Sequence, residues 1–257
     1  MTAWNPFPHA GAYAFDAASL TQHWPRLHRG DCEPLPDDSA VLHAWVLFHN
    51  GQFEEAAQAG LAAGIDGITV ANKAACMYAT YLESSEKTRL ELLMQAAERA
   101  EAQQTEAPLN ANAWYWQAYA LNCYGQGLSV AKALAQGLGN TIKMALEQTI
   151  RLSPLHADAH IALATFHAEA IDKVGTLIGG MTYGAKKDTG LALFKEGLRL
   201  NPESAAAMTD YANGLVMLEG EKRMHEATRL YELAAACQPM DALEQLNVAM
   251  AKVELED

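Results

Sequence analysis

The chain has 257 residues, half of them hydrophobic, and a formal net charge of −13 at pH 7. A chain of this length can bury a core by packing alone, so folding requires neither a disulfide nor a metal. The 31 acidic residues against 18 basic ones give a surface that repels phosphate backbones and anionic lipids, which disfavours nucleic acid and membranes as partners.

The cysteines and the first residues bear on the compartment. Cys32, Cys76, Cys123 and Cys237 are widely separated, with no CxxC or other metal-ligand spacing, so we expect reduced thiols. Residues 1–16 lack the basic and apolar regions of a secretory signal, and no stretch reaches the roughly 20 apolar residues that span a bilayer. The sequence therefore predicts a soluble cytoplasmic protein.

Residues 1–37 form a proline-rich N-terminal arm, in which a short helix is predicted over residues 16–28. The arm carries four large aromatic side chains within its first fifteen residues: Trp4, Phe7, Tyr13 and Phe15. An exposed cluster of such rings would promote association. We therefore expect the rings to pack, either in a groove of the same chain or against another copy.

Residues 38–257 show the pattern of paired helices. A first hairpin is predicted over residues 38–64, with its turn at Asn50 and Gly51 and with acidic residues early in its second helix. Further hairpins are predicted over residues 69–104, 110–153, 156–201 and 204–238. An amphipathic helix over residues 241–255 fits the polar cap that ends a helical repeat array.

The last hairpin contains the clearest repeat motif. Ala227, Tyr231 and Ala234, followed by a proline, have the small, aromatic, small, proline spacing of a tetratricopeptide second helix. Small residues let two helices approach closely, and proline begins the next helix where no N–H is needed. Copies of the motif end at Pro154 and Pro202, which are 48 positions apart instead of the usual 34. The sequence predicts an all-α, tetratricopeptide-like α-solenoid of about five helical hairpins plus a C-terminal capping helix.

Two long insertions, at residues 127–139 and 174–187, interrupt the third and fourth hairpins. Residues 114–218, and especially residues 178–184 leading into residues 191–194, resemble the tetratricopeptide-like domain of the regulator of microtubule dynamics family. The same stretch is similar to the T component of bacterial TRAP transporters. Members of both families are regarded as helical protein-binding modules. The resemblance implies a binding function, with a transport-associated accessory component as the alternative.

The first helices of stacked hairpins line the concave face, so their inward side chains form the predicted binding groove. These side chains are Tyr115, Tyr119, Asn122, Asp158, Thr165, Glu169, Thr209 and Asn213. Rings supply contact area at low entropic cost, and amides pair with an extended backbone. We expect a peptide segment or partner helix there, basic or neutral because two of these residues are acidic, or a second copy in a homo-oligomer.

The repeat pattern is less well defined in the first hairpin. Counting inward positions there in the same way places Trp45, Phe48 and His49 on the inward face. The alternative for the aromatic residues, Tyr115 and Tyr119 above all, is that they pack under a neighbouring repeat or under the arm.

A metal-dependent enzyme is the remaining alternative. His156, His160 and His167 lie on one helical stripe and can in principle ligate a metal. Against this, His160 and His167 occupy packing positions of the repeat, and no HExxH motif is present. The glycine-rich residues 175–184 lack the Lys-Ser or Lys-Thr of a P-loop. With no nucleophile motif either, the sequence predicts a binding scaffold, without a cofactor and without a catalytic site.

Overall fold

The computed structural model describes residues 4–255, apart from the side chains of Val130 and Leu134. Throughout that range the regular structure is helical and no strand is formed, which confirms the all-α prediction. The α-helices are α1 (Ala17–Leu27), α2 (Ser39–His49), α3 (Phe53–Ala62), α4 (Ile68–Tyr81), α5 (Glu86–Glu106), α6 (Ala111–Gln126), α7 (Val130–Ala135), α8 (Leu138–Leu152), α9 (Ala157–Tyr183), α10 (Lys187–Leu200), α11 (Ala205–Glu219), α12 (Met224–Ala235) and α13 (Ala242–Glu254).

The helices pack as consecutive pairs. The pairs are α2 with α3, α4 with α5, α6 with α8, α9 with α10, and α11 with α12. The five predicted hairpins are therefore present, and α13 follows them at the position of the predicted cap.

The chain folds as two compact units. The first unit comprises Met1–His28, Glu33–Leu152 and Met240–Leu243, and the second comprises Arg29–Cys32, Ser153–Pro239 and Glu244–Asp257.

Side-chain caps explain where several helices begin. The carboxylate of Asp16 accepts a hydrogen bond from the backbone N–H of Ser19, whose hydroxyl in turn accepts from the N–H of Asp16. Asn110 starts α6 by accepting from the N–H of Asn112 at 2.9 Å. Such caps satisfy backbone donors that have no partner inside the helix, and each typically contributes about 1 kcal/mol.

Small residues allow close packing in the second unit. Phe194 is buried and stacks on Tyr211 with 5.0 Å between ring centroids. A Cβ on Gly214 would overlap the Phe194 ring, and a Cβ on Gly197 would lie 2.5 Å from Ile161. Glycine at these two helical positions is thus what lets the neighbouring side chains fill the core.

Both insertions contain helix. The first contains α7, and the second continues α9 beyond a kink at Gly175, where φ is +81°. Glycine adopts this backbone conformation without the steric cost that a side chain would bring. The second insertion is therefore helical as far as Tyr183, and it leaves Leu177 and Met181 largely exposed.

Among residues 4–255, none of the helices combines the length and the apolar character that crossing a bilayer requires.

Candidate interaction surface

The predicted groove residues are divided between the two units. Tyr115, Tyr119 and Asn122 lie on α6 in the first unit. The others lie on α9 and α11 in the second unit: Asp158, Thr165, Glu169, Thr209 and Asn213.

Helix α9 presents a polar stripe along one side. Asp158, Thr165 and Glu169 are seven and four positions apart, so they fall on the same face of the helix. Asp158 and Glu169 are both partly exposed. Glu169 also pairs with Lys173, one turn further along the helix, at 3.0 Å.

Helix α11 adds a third carboxylate, Asp210. It lies near enough to the α9 stripe for the charges of Glu169 and Asp158 to act on it. We call Asp158, Glu169 and Asp210 the acidic cluster.

The acidic cluster shifts the ionisation of its central member. Burial, followed by the negative charges of Glu169 and Asp158, raises the pKa of Asp210 to about 7. Each of these influences disfavours the ionised carboxylate, and no basic side chain of residues 4–255 offsets them. Although the environment of Asp210 is crowded, part of its surface remains in contact with solvent. A positive charge that reached this surface would therefore stabilise the ionised form of Asp210.

Two threonine hydroxyls on the same helices have no hydrogen-bond partner among the described residues. They are Oγ1 of Thr165 and Oγ1 of Thr209, both buried, and Thr209 as a whole is 8% exposed. Asn213, one turn after Thr209, accepts a hydrogen bond from the Tyr231 hydroxyl at its side-chain oxygen. A buried hydroxyl without a partner costs free energy, and both oxygens are enclosed by the protein.

In the first unit the α6 residues are more enclosed than the sequence suggested. Tyr115 is 6% exposed and packs edge-on against Trp116, with 5.0 Å between ring centroids. Tyr119 and Asn122 keep partial exposure. The Tyr119 hydroxyl lies 3.4 Å from that of Thr80, and burial raises the pKa of Tyr119 well above its usual value. Tyr115 thus offers a partner little surface, whereas Tyr119 and Asn122 offer some.

Trp45, Phe48 and His49 do not form the binding surface predicted for them, because all three side chains are buried in the core of the first unit. Trp45 packs edge-on against Trp24 of α1 at 5.7 Å between centroids. The ammonium of Lys73 lies 5.4 Å from the Trp45 ring centroid, a cation–π distance. These residues hold hairpins together and present no binding surface.

The three histidines on α9 each engage the backbone. Nδ1 of His156 accepts from the N–H of Ala159 and caps the helix, and Nδ1 of His160 lies 3.0 Å from the His156 carbonyl. His167 accepts from the N–H of Lys186 at 3.2 Å. Within the described chain, no three His, Cys, Asp or Glu side chains are arranged to hold a metal ion. Each of the three histidine side chains therefore takes part in the backbone contacts of α9 or of the segment that follows it.

Asp210 is the residue that the sequence analysis missed. It lies three positions before Asn213, so it shares a helical face with a residue already assigned to the groove. The spacing of three between Asp210 and Asn213 was enough to place Asp210 on the groove face of α11. The coupling of Asp210 to Asp158 and Glu169 requires the packing of α11 beside α9, which only the structure supplies.

Helical hairpins with small residues at their contacts, following one another along the chain and ending in a final helix, define a tetratricopeptide-like α-solenoid. A crystal structure of a thermophilic tetratricopeptide-repeat protein from Thermus thermophilus is similar, with a TM-score of 0.58 at 15% sequence identity. The match covers 83% of this chain and 97% of the Thermus chain. This likeness confirms the fold. No family model and no curated protein matches the chain, so its resemblance to the microtubule-regulator and TRAP transporter families is not supported.

Proposed function

We propose that the protein is a non-enzymatic interaction scaffold and that the acidic cluster on α9 and α11 binds a basic or neutral segment of a partner protein. Tetratricopeptide-like solenoids present the first helices of their hairpins as a binding surface, and the fold of this chain belongs to that class. The acidic cluster lies on two such helices, α9 and α11.

The observation that carries this proposal is the juxtaposition of three carboxylates from two helices. Asp158 and Glu169 act on Asp210 across the α9–α11 contact, and no cation compensates Asp210 within the described chain. A lysine or arginine of a partner would relieve this repulsion, and it would form charge-assisted hydrogen bonds with carboxylate oxygens. An acidic segment would add to the repulsion and is disfavoured.

A neighbouring polar group fits an extended backbone as the ligand. Asn213 is half-buried and its amide nitrogen is a donor. A peptide C=O group supplies the matching acceptor. On this proposal charge selects the partner, and Asn213 helps to orient it.

The test uses a defined set of peptides. Fluorescently labelled peptides of about twelve residues and of matched hydrophobicity, either basic, neutral or acidic, are titrated with the full chain at physiological ionic strength. We expect affinity to rank basic above neutral above acidic. The combined substitution Asp158→Asn, Glu169→Gln and Asp210→Asn should abolish the ranking.

A matched control separates the cluster from the overall acidity of the protein. Glu98, Glu101 and Glu106 on α5 are exposed, and replacing all three by glutamine removes the same formal charge. This control variant should keep the ranking. If both triple variants reduce basic-peptide binding equally, the long-range field of the protein explains the binding and the acidic cluster is not the site.

A further inference from the structure

The N-terminal segment is held in the first unit as a bound peptide is held in a receptor. The backbone N–H of Trp4 donates to Oε2 of Glu54 at 2.9 Å, and the N–H of Asn5 donates to the Tyr78 hydroxyl at 3.1 Å. The Asn5 side-chain amide donates to the carbonyl of Leu82. Side chains of the receiving helices therefore satisfy the backbone N–H groups of this segment.

Two rings anchor the same segment. Trp4 stacks on Tyr78 with 4.2 Å between centroids and an interplanar angle of 14°. Phe7 is buried, and it lies edge-on to Phe53 at 6.3 Å. We call residues 4–7 the anchor, and the residues that receive it the seat: Gly51, Phe53, Glu54 and Tyr78.

A glycine in the seat makes room for Phe7. Gly51 has φ +83°, and a Cβ built there would lie 2.6 Å from the Phe7 ring. The turn between α2 and α3 therefore forms a notch that only a residue without a side chain permits. Asn50 of the same turn holds the backbone of Phe15 by donating to its carbonyl and accepting from its N–H.

The anchor is joined to the rest of the protein by an exposed link. Most of residues 8–14 are exposed, and Gly11 within them has φ +81°. Among the described residues, no atom lies within 4 Å of the place that a Cβ on Gly11 would take. Phe15 and α1 follow as a separate attachment. The anchor can thus leave its seat without disturbing α1.

We infer that the seat is a recognition site for an extended segment with two aromatic residues separated by two residues, and that residues 4–7 are its intramolecular occupant, which such a segment from another chain displaces. The ligand chemistry follows from the anchor itself: a ring for Tyr78, backbone N–H groups for Glu54 and Tyr78, a proline that favours extension, and a second ring for the notch. The seat contains none of the proposed groove residues, so this inference is independent of the acidic cluster.

The anchor, when it occupies the seat, lowers the affinity with which an external segment binds there. A tethered ligand competes at an effective concentration that reaches the millimolar range for short flexible linkers. An external segment therefore binds the wild-type chain weakly, and it binds well only when the anchor is weakened. This difference makes the inference testable with the full chain.

The experiment measures fluorescence anisotropy of a labelled, N-acetylated peptide of residues 4–15, titrated with full-length protein. The probe should bind Trp4→Ala/Phe7→Ala at least about tenfold more tightly than it binds wild type, because the tethered competitor is weakened. Trp4→Ala alone removes a half-buried ring and leaves Phe7 in the core. This variant should bind the probe with an affinity between those of wild type and the double variant. A peptide of the same composition in scrambled order should not bind.

Substitutions in the seat test whether the labelled peptide binds there. In the Trp4→Ala/Phe7→Ala background, Glu54→Ala should weaken the probe several-fold, whereas Glu55→Ala, an exposed neighbour of equal charge, should leave affinity unchanged. Helicity measured by circular dichroism must be the same for all variants. Equal binding to wild type and the double variant, equal effects of Glu54→Ala and Glu55→Ala, or no binding to the double variant would each overturn the inference.

Discussion

Nδ1 of His49 donates a hydrogen bond to Oδ2 of Asp241 at 2.6 Å, although the two residues are 192 positions apart in the chain. Both side chains are buried in the first unit. Because an ionised carboxylate only accepts, Nδ1 carries the hydrogen, and Nε2 of His49 then faces Nε2 of His28 at 3.2 Å. The contact fixes the short segment Met240–Leu243 in the first unit.

Asp241→Asn should therefore reduce the free energy of unfolding by about 1 kcal/mol, since a neutral amide oxygen accepts a weaker hydrogen bond from the buried Nδ1–H than a carboxylate does. Urea denaturation followed by circular dichroism measures the change. Asp37→Asn, which removes a carboxylate from the loop before α2, is the control and should alter stability by less than about 0.5 kcal/mol. Equal stability of the two variants would show that the hydrogen bond contributes nothing net.

Asp210 should make stability depend on pH in a specific direction. Its pKa is raised from 3.8 to about 7 in the folded chain, so between these values the folded state holds a proton that the unfolded state releases. Stability therefore falls as pH rises from about 4 to about 7, and the penalty remains constant at higher pH.

Asp210→Asn should remove this penalty. The variant should match wild type near pH 4 and exceed it by about 2 kcal/mol at pH 8, a figure reduced because Asp210 keeps some contact with water. Denaturation midpoints at about pH 4, 6 and 8 measure the difference. Asp172→Asn, exposed on α9, should follow the wild-type profile; a variant Asp210→Asn that does the same would contradict the raised pKa.

Gly214 tests the packing between α10 and α11. Alanine there would drive a methyl group into the buried Phe194 ring. The resulting strain, typically about 1–3 kcal/mol, outweighs the gain in helix propensity of about 1 kcal/mol. We expect Gly214→Ala to lower the urea midpoint. Gly180→Ala, where the nearest atom lies 3.6 Å from the new Cβ, should leave the midpoint unchanged or raise it.

The sequence predicted the hairpins well because their signals are local. Ala227 and Ala234 are fully buried as the repeat motif requires, and capping residues such as Asn110 mark helix starts within a few positions. Contacts between distant segments leave no such periodic signal. The His49–Asp241 hydrogen bond could not be inferred from spacing.

The candidate site was predictable in part. The face of α9 that carries Asp158 and Glu169 followed from helical spacing, and those residues are partly exposed. The first hairpin was misassigned because an apolar first helix looks the same whether it faces solvent or another helix. There, α1 and the core of the first unit enclose Trp45 and Phe48.

Partner binding should be coupled to the loss of the proton from Asp210. A bound lysine or arginine favours the ionised carboxylate, so binding of a basic peptide should release a proton from Asp210 and should tighten as pH rises from about 6 to about 8. In the Asp210→Asn variant this pH dependence should disappear, because no proton is left to release.

Affinity measured across this pH range, at about 0.05 M and about 0.3 M salt, also separates the contacts between charged groups from the contacts made by aromatic rings. The charge contribution should weaken at the higher salt, where screening is stronger, and Glu169→Gln should reduce affinity mainly at low salt. Tyr119→Phe, which keeps the ring, should bind as wild type does at both salt concentrations. Binding that tightens as pH falls would mean that the partner meets protonated Asp210 as a hydrogen-bond donor, and the cationic ligand assigned to the acidic cluster would be wrong.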